Sequence, residues 1–365
     1  MRPTQAVIST SALRNNISVI RDVISDNCKI MAIVKADCYG HSVEICIPIL
    51  IDEKINYFGV ATIEEAIQIR NLTQSSIIVV LTPPISNQLN LYFQYNIECV
   101  VSNKNLVDKI CSIGESLSKS INVHLLVNTG MTRNGCEPSE VIDILTYLKH
   151  SKEINIIGLC SHFSCSDEIY SNFTLEQITI FDKTLKASID AGFEFRDVHI
   201  ANSGGIMNYP SSHYNLVRPG LSLYGLHPTF PLQSKSNLKQ ILTFKSAITN
   251  IKKVLKNTPI SYSKKYITTK DTFIASVPVG YADGLMRCLT NKLDVFINGK
   301  KYKVAGTICM DEILIDIGND PIKVEDEVII CSNNSQTAWD LALVSNTIPY
   351  EICTNISKRV SRIKS

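Results

Sequence analysis

The chain has 365 residues, 45% of them hydrophobic and 19% charged, which is enough for two domains and a sizeable buried core. Thirty-six basic residues against 34 acidic ones leave a formal net charge of +2, a near-balance that argues against nucleic acid or a membrane surface as partner. Twelve scattered cysteines, without paired C-x-x-C spacing, read as core thiols in a reducing cytoplasm rather than a disulfide scaffold or a metal site.

The N-terminus lacks the apolar run of a secretion signal, and no apolar stretch is long enough to predict a membrane-spanning helix. Short β-branched runs predict strands at 29–35, 57–61, 76–81, 97–101, 122–127, 155–160, 197–201 and 216–221. Helical-period segments lie between them: 63–70, 139–149 with Ser139 as a candidate N-cap, and 175–191, ended by Gly192. Near-continuous apolar strands alternating with helices predict a parallel (β/α)8 barrel of the TIM type. A doubly wound sheet is the alternative, but no G-x-G-x-x-G follows the first strand.

Beyond about residue 235 the rhythm changes. Strands are predicted at 244–254, 272–278, 293–297, 301–305, 312–317 and 325–331, with Asn298-Gly299 as a hairpin turn and a helix only at 338–344. The expected organisation is a barrel over 1–235 and a mostly β domain over 236–365, the first few residues being free to pair with the second domain. The basic tail from Lys358 to Lys364 reads as a solvated chain end.

In such a barrel, reactive groups gather where strands end at their C-terminal side. Those positions hold Lys35, then Asn128-Thr129-Gly130-Met131-Thr132-Arg133, Ser161-His162-Phe163, Asn202-Ser203-Gly204-Gly205 and Arg218-Pro219-Gly220-Leu221. A lysine closing an apolar strand is either a rim residue reaching solvent or a group in use. The Ser203 hydroxyl and the Gly-flanked amides suit a phosphate. A lysine beside a phosphate cradle suggests pyridoxal 5'-phosphate (PLP).

The block Val34-Lys35-Ala36-Asp37-Cys38-Tyr39-Gly40-His41 closely resembles the PLP-lysine motif of bacterial alanine racemases. Thr129-Gly130-Met131-Thr132-Arg133, Ser161-His162-Phe163, His199-Ile200-Ala201-Asn202-Ser203 and Val217-Arg218-Pro219-Gly220-Leu221 continue the likeness in order. So do Ile260-Ser261-Tyr262, Val279-Gly280-Tyr281-Ala282-Asp283-Gly284, Gly306-Thr307-Ile308-Cys309-Met310-Asp311 and Ile348-Pro349-Tyr350-Glu351.

The resemblance implies a homodimeric, PLP-dependent isomerase that interconverts L- and D-alanine for peptidoglycan. A serine or broad-specificity racemase on the same fold is the alternative. It implies Lys35 as the Schiff-base anchor and one acid–base group, with Tyr262 of the other subunit as the second. It implies Tyr39, Ser203, Gly220, Leu221 and Tyr350 around the phosphate, and Arg218 against the ring nitrogen. His162 and His199 would support Arg218. Arg133 and the backbone of Met310 would meet the substrate carboxylate, with Tyr281 and Asp311 shaping the access. A guanidinium has no proton to share, so Arg218 would leave the ring nitrogen unprotonated and discourage transamination.

The pattern departs at Leu126, where many relatives carry a carboxylated lysine that orients the loop arginine, and at Asn128, where an aspartate is usual. Leu126→Lys, assayed in carbon-dioxide-containing buffer, is expected to change KM for alanine more than PLP occupancy. Collapsed occupancy with unchanged kinetics would contradict this placement of Leu126.

Overall fold

A computed structural model describes residues 2–365. Seven parallel strands form one sheet in chain order: Ala32–Ile33, Tyr57–Val60, Ile77–Val80, Glu98–Val101, Ile121–Leu126, Ile154–Cys160 and Asp197–His199. The eighth, Leu216–Val217, pairs in parallel with Lys29–Ile30 at the start of the first strand. It also joins the seventh, since the Arg218 N–H donates to the Ala201 carbonyl at 2.9 Å. The sheet thus curls into the expected barrel. Tyr57–Val60 and Glu98–Val101 are buried at every position. Strands covered on both faces are near-continuously apolar, which is why they read as short apolar runs, with Glu98 the exception.

The remaining strands form antiparallel-rich layers. One sheet runs Lys300–Lys303, Asp294–Ile297, Glu327–Cys331, Leu242–Ala247, Gln5–Ile8 and Ser361–Lys364. A three-stranded sheet joins Asn250–Val254, Thr272–Val277 and Ile313–Gly318. Leu242–Ala247 and Ile313–Gly318 alternate buried and half-buried residues, as strands with one covered face do. Gln5–Ile8 pairs with Leu242–Ala247, so both chain ends lie in this layer.

The structure corrects three expectations. The tail is not a solvated end: Ser361–Lys364 pairs in parallel with Gln5–Ile8, and Arg362 donates to the carbonyls of Gly40, Ile356, Ser357 and Val360. Arg359 and Arg362 are used internally, while Lys358 and Lys364 stay exposed. Ser139 is not an N-cap. Pro138–Glu140 is a 3-10 turn closed by Glu137 and Glu140, and the α-helix Val141–Lys149 starts after it. The run 244–254 is two strands, because the Ile248 and Thr249 N–H groups bond to Asp326 and Ser276 on two different neighbours and the chain changes sheets there. Among the described residues no helix is long and apolar enough to cross a membrane.

Candidate active site

The C-terminal ends of the barrel strands surround a cavity of about 570 Å³. Lys35, Tyr39, Arg133, His162, Ser203, Arg218, Gly220, Leu221 and Tyr350 line it together. Three cations therefore share one mouth, with Asp167 the single acidic residue in the lining. His199 lies behind Arg218 and is fully buried. Tyr262, Tyr281, Met310 and Asp311 do not line the cavity; they lie on the second layer, with Tyr262 68% exposed.

Lys35 does not end a strand as expected. The strand stops at Ile33, and Lys35 opens a short turn in which Ala36, Asp37, Cys38 and Tyr39 all have φ between 51° and 57°. Left-handed residues with side chains cost about 1–2 kcal/mol each, so the turn must be held from outside. Glu65 Oε1 accepts the Ala36 N–H at 2.7 Å, and Asp37 Oδ1 accepts the Val43 N–H at 2.7 Å. The turn brings the Tyr39 hydroxyl against Gly220, where an added Cβ would fall 2.5 Å from it. Lys35 opens onto the cavity yet sits deep between its walls. Burial, then the nearby charge of Arg133, hold its ammonium below the ordinary lysine range.

Arg218 is 4% exposed. Its Nη2 donates to the carbonyls of Ser161 at 2.7 Å and Ile200 at 3.2 Å and to His162 Nδ1 at 3.0 Å; its Nη1 donates to His199 Nδ1 at 2.5 Å. No hydrogen bond of Nε is found among the described residues, which leaves that donor for a ligand. Burial lowers the guanidinium to about 10, still a cation at neutral pH. Burial and the adjacent Arg218 push both His162 and His199 well below the ordinary histidine range, so both imidazoles are neutral acceptors.

On the opposite wall, Ser203 Oγ accepts the N–H groups of Gly220 at 2.9 Å and Ser222 at 3.2 Å. The Leu221 N–H has no partner among the described residues. Tyr39 and Tyr350 lie with ring centroids 5.7 Å apart, and burial pushes the Tyr350 phenol up to about 12, so its hydroxyl is a donor. This wall offers several N–H and O–H donors, the chemistry of an anion cradle.

Asn128 does more than sequence reasoning allowed. Its Oδ1 accepts the N–H groups of Gly130 at 3.1 Å and Thr132 at 3.0 Å, while its Nδ2 donates to Glu137 at 2.9 Å. The arginine loop is thus shaped by an Asx-type turn, for which Asn-Thr-Gly was a legible signal. Leu126 lines the cavity as an apolar residue and offers Arg133 no charge. Glu65 and Ser222 were also missed, and Asn202 was placed at its strand end without a role. Asn202 caps the helix Ser203–Asn208 and accepts from Ser166 at 2.6 Å.

The family model described as alanine racemase, N-terminal domain, matches residues 8–228, and that described as alanine racemase, C-terminal domain, matches residues 241–364. The chain is 36% identical over 373 residues to an alanine racemase of Treponema denticola, covering 100% of this chain and 98% of the relative. It is similar to the solved alanine racemase of Clostridium difficile 630, with TM-score 0.94 and 34% identity over 100% of this chain and 96% of that one. The alanine racemase structure from Streptomyces lavendulae gives TM-score 0.94 at 29% identity, covering 100% and 97%.

The buried imidazoles make a pH prediction. His41, His162, His199, His213 and His227 are all held below the ordinary value, chiefly by burial, His41 at about 4. The unfolded chain therefore binds more protons than the folded one below about pH 6.5. Stability is complete above that pH and falls as pH drops through it, by up to about 1.4 kcal/mol per pH unit for each histidine. Calorimetry should show a lower Tm at pH 5.5 than at pH 7.5, with proton uptake on unfolding. An unchanged Tm would show that these imidazoles are not held neutral.

Proposed function

The chain belongs to the alanine racemase family and is an amino-acid racemase, and from that premise we propose that it interconverts L-alanine and D-alanine with PLP held on Lys35. In this reading the product serves peptidoglycan synthesis in the cytoplasm. One observation carries the reading: Lys35, the anion cradle and the unpartnered Nε of Arg218 face one cavity whose lining holds three cations against a single acidic residue.

These residues fit PLP. Tyr39, Ser203, Tyr350 and the N–H groups of Gly220 and Leu221 would hold a phosphate, and Arg218 would present Nε to the ring nitrogen. His162 would flank the ring. When bound, PLP supplies an electron sink for the pair left on the substrate Cα after proton loss. Arg218 has no proton to release at neutral pH, so it would hold the ring nitrogen as an acceptor and would limit that sink. Arg133 would bind the substrate carboxylate, its loop fixed by Asn128. Lys35, already held below the ordinary lysine range, can carry a proton to or from Cα on one face.

Racemisation needs a second acid–base group on the opposite face. Tyr262 is the group the family motif assigns, and it lies outside this chain's cavity. Ser261, Ser263 and Lys264 around it have positive φ, and Thr307 Oγ1 donates to its carbonyl at 2.9 Å, so the loop is held in a constrained shape. An exposed tyrosine on a fixed loop supports its use by a second copy, in a head-to-tail homodimer where Met310 adds its backbone and Tyr281 and Asp311 border the access. Arg359 holds Asp311 at 2.7 Å.

The test is complementation. Lys35→Ala and Tyr262→Phe homodimers should each lose racemisation of L-alanine. Mixed dimers, formed by co-expression, should regain it, because one of their two sites keeps both groups. Failure of the mixed dimer to recover activity would overturn the shared site.

A further inference from the structure

Behind Arg218 the barrel interior carries polar groups that the reading above leaves unused. His199 Nε2 lies 3.1 Å from His124 Nδ1, and His124 Nε2 lies 3.1 Å from Glu98 Oε2. Glu98 also accepts from Arg196 Nη2 at 2.8 Å and from Asn122 Nδ2 at 2.9 Å. Glu98, His124 and Asp197 cluster as metal ligands do, but Arg196 and Lys29 already pair with the two carboxylates, so the cluster has its own cations.

The line has one possible direction. Arginine donates and never accepts. His199 Nδ1 must therefore accept from Arg218, which places the His199 proton on Nε2. That proton points at His124 Nδ1, which must accept in turn. The His124 proton is then on Nε2 and is donated to Glu98. Burial pushes the Glu98 carboxyl up, but the hydrogen bonds from His124 and Arg196 outweigh it and hold the group below its ordinary range, so it is an acceptor. The backbone makes room for this line: a Cβ on Gly158 would fall 2.0 Å from His124 Nδ1, and the pairing register shifts between Val123 and His124.

We propose that Glu98 and His124 are positioning residues for the racemase reaction, fixing the tautomer of His199 and thereby the aim of the Arg218 guanidinium into the cavity. This rests on the reading of Arg218 as the partner of the cofactor ring. With the opposite tautomer, His199 would turn an N–H toward Arg218 Nη1 at 2.5 Å, and two donors cannot share that distance. The guanidinium would have to pivot, and the ring nitrogen would lose its fixed donor.

Glu98→Gln tests this. Arg196 contacts both carboxylate oxygens and will claim the amide oxygen, turning the amide NH2 toward His124 and reversing the line. The chain has seven histidines, so the imidazole 15N shifts of the labelled full-length protein can be assigned one by one. In the wild type, without added cofactor, His124 and His199 should both carry the proton on Nε2. Either one protonated on Nδ1 at neutral pH overturns the proposal, whether or not the protein binds PLP, and this holds even where the variant fails to fold.

In PLP-loaded Glu98→Gln the His199 tautomer should change. Pyruvate released from L-alanine per racemisation event, its amino group passing to the cofactor as pyridoxamine phosphate, should rise severalfold, with KM for alanine unchanged. Tyr57→Phe is the control: it removes the hydroxyl that donates to Asp197 at 2.6 Å and lies 3.5 Å from Glu98 Oε2, but it leaves the His124–Glu98 and His199–His124 bonds in place. It should lower Tm without moving the tautomers or the pyruvate ratio. If Tyr57→Phe moves that ratio as much as Glu98→Gln does, or if Glu98→Gln shifts the tautomers and leaves the ratio unchanged, the network is merely structural and the proposal fails. Loss of racemisation in the wild type itself would instead overturn the proposed function.

Discussion

Everything at the barrel mouth answers to one buried guanidinium. Arg218 is out of water, and a buried cation is tolerated only where acceptors surround it. Two carbonyls and two imidazole nitrogens supply them. That demand keeps His162 and His199 neutral, sets the direction of every hydrogen bond behind them, and leaves Nε as the free donor facing the cavity. Lys35 and Arg133 add like charge to the same space, so the site is built for an anion and repels bare protonated lysine.

The two layers divide the work. The barrel supplies rigid strand ends, and rigid ends allow a strained turn to be held after Lys35 and a backbone cradle to be held beside Ser203. The β layer supplies the Tyr262 loop and is anchored by both chain ends. Asp283, buried beneath that surface, pairs with Arg2 and Arg359, and Arg359 reaches on to Asp311. Arg359, in the tail that read as a solvated chain end, is thus a support of the exposed patch.

Much of this was legible in the residues. Strands buried on both faces are near-continuously apolar, so the barrel could be read from 57–61 and, despite Glu98, from 97–101. The motif blocks fixed which strand ends carry chemistry. What was hidden has physical causes. The left-handed turn from Ala36 to Tyr39 depends on Glu65 from a distant helix, which no local pattern encodes. Glu98 and His124 sit inside apolar strands and are indistinguishable in sequence from polar residues at a rim. The corner at 248–249 interrupts no β-branched run, because the change of sheet is made by pairing partners rather than by a turn residue. Arg359 reads as surface charge because its acceptors Asp283 and Asp311 are far away along the chain.

The central claim is that Lys35 holds the cofactor at the mouth governed by Arg218. Borohydride reduction of the PLP-loaded protein, followed by peptide mass mapping, tests it most directly, since reduction makes a lysine linkage permanent. The account predicts a single pyridoxyl adduct on Lys35. An adduct on any other lysine of an active preparation, or none at all, would contradict it.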